Sequence, residues 1–106
     1  MSLADLDQMA ATGFGDMVKA VVDTDRELLA VDAQLHSDLE GLLLSEGSKQ
    51  ANLWGINLYP QAGKEDFIEY DSMINVRPSA NNRSRGVENE AIRKRIVEVV
   101  SKWVTR

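Results

Sequence analysis

Most of the side chains that could bind a ligand or take part in catalysis lie in residues 53–85. This stretch contains two strand-like runs and a polar loop. Side chains alternate between the two faces of a strand, so the odd or even position of a residue along its strand (its parity) predicts the face on which it lies. Asparagine and aspartate are poor strand formers, so their presence inside strands calls for a hydrogen-bonding role. Parity predicts one apolar, helix-covered face and one polar face, the latter holding Lys19, Asp23, Asn57, Tyr59, Glu69, Asp71, Asn75 and Arg77.

The loop at residues 78–86 adds arginine and asparagine close to a predicted helix start. Guanidinium groups beside free backbone N–H groups suit a phosphate or carboxylate. Asparagine and serine also hold long loops by bonding to the loop backbone. Both interpretations stay open, a structural brace or a site for a small anion. The binding candidates are Asn57 and Lys19 on the sheet and Asn75, Arg77, Asn82, Arg83 and Ser84 at the loop.

Catalysis is the alternative to a binding domain. His36 is the only histidine, and no metal-binding spacing surrounds it, so we expect no metal and no cofactor. A small hydrolase or nuclease-like enzyme would use His36 or Asp71 as general base, with Arg77 or Arg83 holding a phosphate. A histidine near a helix start more often caps or bonds locally, and no catalytic motif is present. We therefore expect a small binding or protein-interaction domain.

Composition narrows the class of protein. A chain of 106 residues forms one domain, and without cysteine it has no disulfide or thiolate chemistry. Residues 1–76 carry 4 basic and 14 acidic side chains, and residues 77–106 carry 8 and 3. This balance makes nucleic acid an unexpected partner and offers complementary surfaces for a homodimer. No apolar run reaches membrane-spanning length, so we expect a cytoplasmic protein without a membrane partner.

Apolar spacing and turn residues divide the first half of the chain. A helix is predicted at residues 3–12, followed by a hairpin of strands at residues 17–23 and 27–31. A second helix begins near Ser37, which stands three residues before Glu40 as in a capping box, or at Asp32. It ends at Gly47, and its leucines are expected in the core.

The second half is predicted as another hairpin and a helix. The third strand covers residues 53–59 and the fourth residues 67–77, each closed by a proline. Asn89 caps the last helix, whose core stripe is Ile92, Ile96, Val99, Val100 and Trp103. Trp54 is also expected in the core. The order predicts an α+β domain, a four-stranded, mainly antiparallel sheet with three helices mostly on one face.

Several segments resemble a small prokaryotic family of uncharacterised proteins, a domain of unknown function. They are FGDMVKAVVD (Phe14 to Asp23), LHSD (Leu35 to Asp38), GSKQANLWGINLYP (Gly47 to Pro60), YDSMINVRP (Tyr70 to Pro78) and NRS (Asn82 to Ser84). The resemblance covers nearly the whole chain. It implies one intact domain and brings no activity or functional residue with it.

Overall fold

The computed structural model describes residues 1–105. It confirms the α+β class, with three helices and one four-stranded antiparallel sheet in the order β2-β1-β3-β4. The helices are α1 (Leu3–Thr12), α2 (His36–Ser45) and α3 (Glu90–Trp103), and the strands are β1 (Val18–Asp23), β2 (Leu28–Val31), β3 (Leu53–Leu58) and β4 (Ile68–Glu69).

Side-chain caps fix the starts of two helices. Ser2 and Asp5 form a capping box at α1, each side chain accepting the backbone N–H of the other residue at 3.1 and 3.0 Å. At α3, Oδ1 of Asn89 accepts the N–H groups of Ala91 and Ile92. The cap side chains accept hydrogen bonds from N–H groups that have no partner within the helix. The predicted starts of both helices are confirmed.

The predicted start of α2 is wrong. The helix begins at His36, with Leu35 as a cap that makes no side-chain hydrogen bond, so neither Ser37 nor Asp32 caps it. The imidazole of His36 reaches the Ile56 carbonyl of β3, and this contact across the fold anchors the first turn. The predicted end is close, because α2 stops at Ser45 and Gly47 follows with a positive φ of 99°.

Two separate cores cover the two faces of the sheet. Ala20, Val22 and Ile56 pack against α1 and α3 on what we call the α3 face. Val21 and Leu53, which have the opposite parity, pack against Leu39 and Leu43 of α2 on the α2 face, the predicted polar face. Two of the three helices thus share a face, as expected. The predicted polar face is in part a second core, because α2 crosses it.

The predicted fourth strand at residues 67–77 is wrong beyond Glu69. Only Ile68–Glu69 pairs with β3, and two 3₁₀ turns follow at Met73–Asn75 and Pro78–Ala80. A side chain ends the ladder: Oδ1 of Asn75 accepts the Gly55 N–H at 2.8 Å, and its Nδ2 donates to the Gly55 carbonyl at 2.9 Å. An amide carries one acceptor and two donors, so it takes the place of a paired strand residue.

Three core predictions are also wrong. Trp103 is 41% exposed, and its indole N–H donates to the Glu27 carbonyl at 2.7 Å, which ties α3 to the β1–β2 turn. Leu42 and Leu44 are 52% and 41% exposed, since α2 buries only one side. Trp54 is buried, as predicted. Within residues 1–105, no helix is both long and apolar enough to cross a membrane.

Candidate functional site

Polar side chains gather on the α2 face around the end of β3. Asn57 is 4% exposed, and its Nδ2 donates to Oε1 of Glu69 at 2.8 Å. The Tyr59 hydroxyl donates to the same oxygen at 3.0 Å. Lys19 stands opposite Asn57 in the β1–β3 register. We call the polar cluster the set Lys19, His36, Asn57, Tyr59, Glu69 and Asp71.

His36 is the buried base of this cluster. Its Nε2 lies 2.8 Å from the Ile56 carbonyl oxygen, which only accepts, so Nε2 carries the proton. Burial lowers the pKa of His36 below its ordinary 6.5, and the nearby charge of Lys19 acts in the same direction. The Ile56 carbonyl and Asp71 oppose this shift in pKa. The imidazole is therefore neutral near pH 7, and its bond is long-range, not the local one expected.

Asp71 is the second candidate base, and the fold brings it into the same cluster. Its Oδ1 forms an ion pair with Nε of Arg85 at 2.7 Å, in which both side chains are about half exposed. The Asp71 backbone carbonyl lies 3.4 Å from Nδ2 of Asn57. Oδ1 of Asn57 is buried and has no hydrogen-bond partner within residues 1–105. The cluster therefore leaves a buried acceptor unpaired, while the N–H of His36 is bonded to the Ile56 carbonyl and the carboxylate of Asp71 is paired with Arg85.

Arg77 lies away from the polar cluster. Its guanidinium donates to the carbonyl of Leu53, and at 3.3 Å to the carbonyls of Ala51 and Ile74. It also stacks on Trp54, 4.4 Å from the ring centroid. Burial lowers the pKa of Arg77, although an arginine stays charged at neutral pH. The arginine thus joins the 3₁₀ segment to the start of β3.

Asn75 and Asn82 are buried and bond to backbone. Besides Gly55, Nδ2 of Asn75 donates to the Arg85 carbonyl at 2.9 Å. Nδ2 of Asn82 lies 2.7 Å from the Asn75 carbonyl and 2.8 Å from that of Gly86. Oδ1 of Asn82 accepts the Glu88 N–H at 2.9 Å. The two amides bond the segment of residues 72–88, which contains the two 3₁₀ turns, to β3 and to itself through backbone groups.

The loop's own carboxylate occupies the position predicted for an anion. Oε2 of Glu88 accepts the N–H groups of Arg83 and Ser84 at 2.7 and 2.9 Å. These hydrogen bonds lower the pKa of Glu88, and the charge of Arg83 adds to the effect. Arg83 and Ser84 are exposed. Sequence reasoning missed Glu88, although an acid four to five residues beyond an arginine–serine pair was a usable signal.

An apolar groove lies between β4 and α3, beyond the edge of the sheet. Its deeper part has a volume of about 160 Å³, and a more open depression that shares Tyr70 and Val97 continues it along α3. Lys64, Arg93 and Lys94 line its ends, with Glu65 and Glu90. We call it the α3 groove and define it by the residues Phe67, Ile68, Tyr70, Val97, Val100 and Val104.

The sequence did not predict this groove. In α3 the sequence hint is Val97, an apolar residue that falls outside the predicted core stripe. In the structure Val97 is 44% exposed. The early end of β4 leaves the flank of α3 uncovered, and that end depends on the Asn75 side chain. Within residues 1–105, no group of three or more histidine, aspartate and glutamate side chains is placed to hold a metal ion.

The family model described as "Protein of unknown function (DUF5674)" matches residues 1–103. The chain belongs to this family. The match confirms the resemblance to a family of uncharacterised proteins over nearly the whole chain. No curated protein matches the chain, and no solved structure matches it. Membership in DUF5674 brings no activity with it.

Proposed function

We propose that this protein is a small cytoplasmic binding domain without catalysis, which takes an apolar segment of a protein partner in the α3 groove. One observation carries the proposal: an apolar concave surface that contains an exposed valine, Val97, and has charged residues of both signs at its ends. Exposed apolar concavities with charged rims are typical of protein-binding surfaces on small domains.

The side chains proposed for chemistry support binding over catalysis. A general base needs a free lone pair within reach of a substrate proton, and a phosphate needs free guanidinium donors. Asp71 is paired with Arg85, and Arg77 donates to three backbone carbonyls. His36, the first residue of α2, is 7% exposed, and its Nε2 is bonded to the Ile56 carbonyl. His36, Asp71 and Arg77 are all absent from the lining of the α3 groove.

Anilinonaphthalene sulfonate tests this proposal, because its rings suit an apolar groove and its sulfonate suits Lys64 and Lys94. We expect dye fluorescence to rise on native protein and amide NMR shifts to concentrate around Val97. Val97→Asp should abolish binding, because it places a charge in the groove. Leu44→Asp is the matched control, since Leu44 is 41% exposed on α2, and it should bind as wild type.

Two outcomes would count against the groove. One is dye binding that survives Val97→Asp. The other is an amide shift pattern centred on the polar cluster or on residues 82–85, particularly one produced by inorganic phosphate. The second result would favour the anion site that the arginine loop suggests. We expect phosphate to leave the Arg83 and Ser84 amides unshifted, because Glu88 already accepts their protons.

A further inference from the structure

The exposed side of α2 and its cap, Leu35, carry an apolar stripe that no other part of residues 1–105 covers. Leu35 and Leu42 are 57% and 52% exposed and stand seven residues apart, which returns to the same side after two turns. They are separated by roughly 10 Å along the helix axis. Leu39 and Leu43 take the buried side, so the core does not account for the stripe.

The stripe and the α3 groove carry opposite charge. Residues 32–46 hold four acidic side chains, Asp32, Asp38, Glu40 and Glu46, and neither lysine nor arginine. Asp38 lies between the two leucines of the stripe, on the same side of α2. The groove has Arg93 and Lys94 with Glu90 towards one end and Lys64 with Glu65 towards the other, so its three cations outnumber its two carboxylates. An acidic segment with two exposed leucines thus faces an apolar floor whose rim has a net positive charge, and opposite charge of this kind favours a specific contact.

The dimensions also agree. The groove follows α3 from Ala91 to Val104, which corresponds to roughly 20 Å of helix, so a two-turn stripe fits inside it. The stripe lies on the helix that covers the α2 face, and the groove lies between α3 and the β4 edge of the sheet, so one copy cannot close the contact on itself. A second copy of the chain supplies the missing half.

We infer that the occupant of the α3 groove is the α2 stripe of a second copy of this chain. The inference rests on the proposed function, because it names the partner for the same groove. The contact is heterologous, since it joins two different surfaces. Each copy keeps one free stripe and one free groove, so association continues head to tail. A closed two-fold dimer would use one surface twice.

Two single variants test the inference, with sedimentation velocity as the readout. Leu42→Asp removes the stripe and keeps the groove, whereas Val97→Asp removes the groove and keeps the stripe. Both residues are exposed, so we expect both variants to melt like wild type. Wild type should form oligomers that grow with protein concentration and dissociate with added salt. Each variant alone should be monomeric, and an equal mixture of the two should form one discrete dimer.

Two further variants separate charge from folding. Lys94→Glu and Asp38→Lys should each weaken wild-type association, and the mixture of the two should recover it, because the reversed charges meet again across the contact. Leu44→Asp is the matched control, because Leu44 lies on a different side of α2, and it should associate as wild type.

The inference is overturned if wild type stays monomeric at high micromolar concentration and low salt. It is also overturned if the mixture of Leu42→Asp and Val97→Asp gives no dimer, or if either variant alone associates as wild type. Dye binding lost in Val97→Asp alongside a monomeric wild type would leave the proposed groove standing with a different partner. If wild type is monomeric and dye binding does not depend on Val97, the groove is not a binding site.

Discussion

The two faces of the sheet are stabilised mainly by different interactions, apolar burial on the α3 face and side-chain hydrogen bonds to backbone on the α2 face. On the α3 face, whole helices bury aliphatic side chains such as Leu6, Ile56 and Ile96, each fully inaccessible to solvent. On the α2 face, part of the cover is a 3₁₀ segment held by asparagine and arginine hydrogen bonds to backbone. Burial is non-directional and tolerates adjustment, whereas a buried hydrogen-bond network fails when one partner moves. The two faces should therefore respond differently to small substitutions.

The largest effect should come from one added methyl group on the α2 face. A Cβ at Gly55 would stand 2.5 Å from Cβ and 2.6 Å from Oγ of Ser72, so the 3₁₀ segment must move. That movement breaks both Asn75 bonds to Gly55, and Gly55→Ala should cost about 4 kcal/mol from overpacking together with stranded backbone groups. Urea unfolding followed by circular dichroism would measure it.

Gly41→Ala is the matched control. It adds the same methyl to a glycine of α2 with open space around it and should stabilise the fold by about 1 kcal/mol through helix propensity. A loss for Gly55→Ala of less than about 1 kcal/mol would mean that the segment accommodates the methyl group and that the network is not rigid.

On the α3 face, the loss of stability caused by a truncation should increase with the burial of the side chain that is truncated. Ile96 is fully buried in the main core, and Ile96→Ala should cost about 3 kcal/mol, within the range for aliphatic truncation. Val97→Ala, on the exposed neighbour, should change stability by less than about 0.5 kcal/mol. Thermal melts of both variants decide the point, and equal shifts would show that α3 is not docked through Ile96.

The same contrast separates what the sequence predicted from what it missed. Helical spacing at Ile92, Ile96 and Val99 and the Asn89 cap predicted α3, because periodicity and capping are local. The residues at 70–77 alternate as in a strand, yet the chain leaves the sheet there because the Asn75 amide bonds to Gly55, twenty residues away. No local pattern encodes that partner.

The candidate site divides in the same way. Parity correctly grouped Lys19, Asn57 and Glu69, which lie on strands with regular register. It failed for Asn75 and Arg77, because parity holds only while the chain remains in the sheet. His36 joined the cluster through a contact between α2 and β3, and the groove arose from an uncovered flank of α3. Both depend on how the elements pack, and spacing within one element does not report that.

A smaller loss should follow from breaking the loop network at Asn82. Asn82→Ala removes the partners of the Asn75 and Gly86 carbonyls and of the Glu88 N–H, and should cost about 2 kcal/mol through stranded backbone groups. Faster hydrogen exchange at Glu88 would locate the change. The control is Asn81→Gly, which keeps the left-handed backbone at an exposed position and should be nearly neutral. Equal stability of the two variants would contradict the network.

His36 should make the α2 face sensitive to pH. Because burial lowers its pKa in the folded state, the unfolded chain binds the proton more tightly below pH 6.5. Its contribution to stability is therefore full above pH 6.5 and falls as pH drops through the folded pKa. His36→Gln keeps a donor for the Ile56 carbonyl and cannot titrate. Unfolding midpoints between about pH 7.5 and about pH 5.5 should fall less for His36→Gln than for wild type, and parallel curves would contradict this.

The smallest effect should be that of Arg83→Ala, and it separates the two interpretations of the loop. The loop uses the backbone N–H of Arg83, which donates to Glu88, while the guanidinium is exposed and its removal leaves that bond in place. We expect a change in stability within about 0.5 kcal/mol, as for ordinary surface substitutions. Arg77→Ala strands the carbonyls of Leu53, Ala51 and Ile74 and should cost several times more.

Calorimetric titration with inorganic phosphate on the same preparations completes this comparison. We expect the half-buried Arg77 to hold the fold and the exposed Arg83 to leave it unchanged, so wild type and Arg83→Ala should both give no phosphate heat. Saturable phosphate binding to wild type that disappears in Arg83→Ala, with the melt unchanged, would show that Glu88 yields its position to an external anion. The loop would then be a ligand site as well as the brace of the α2 face.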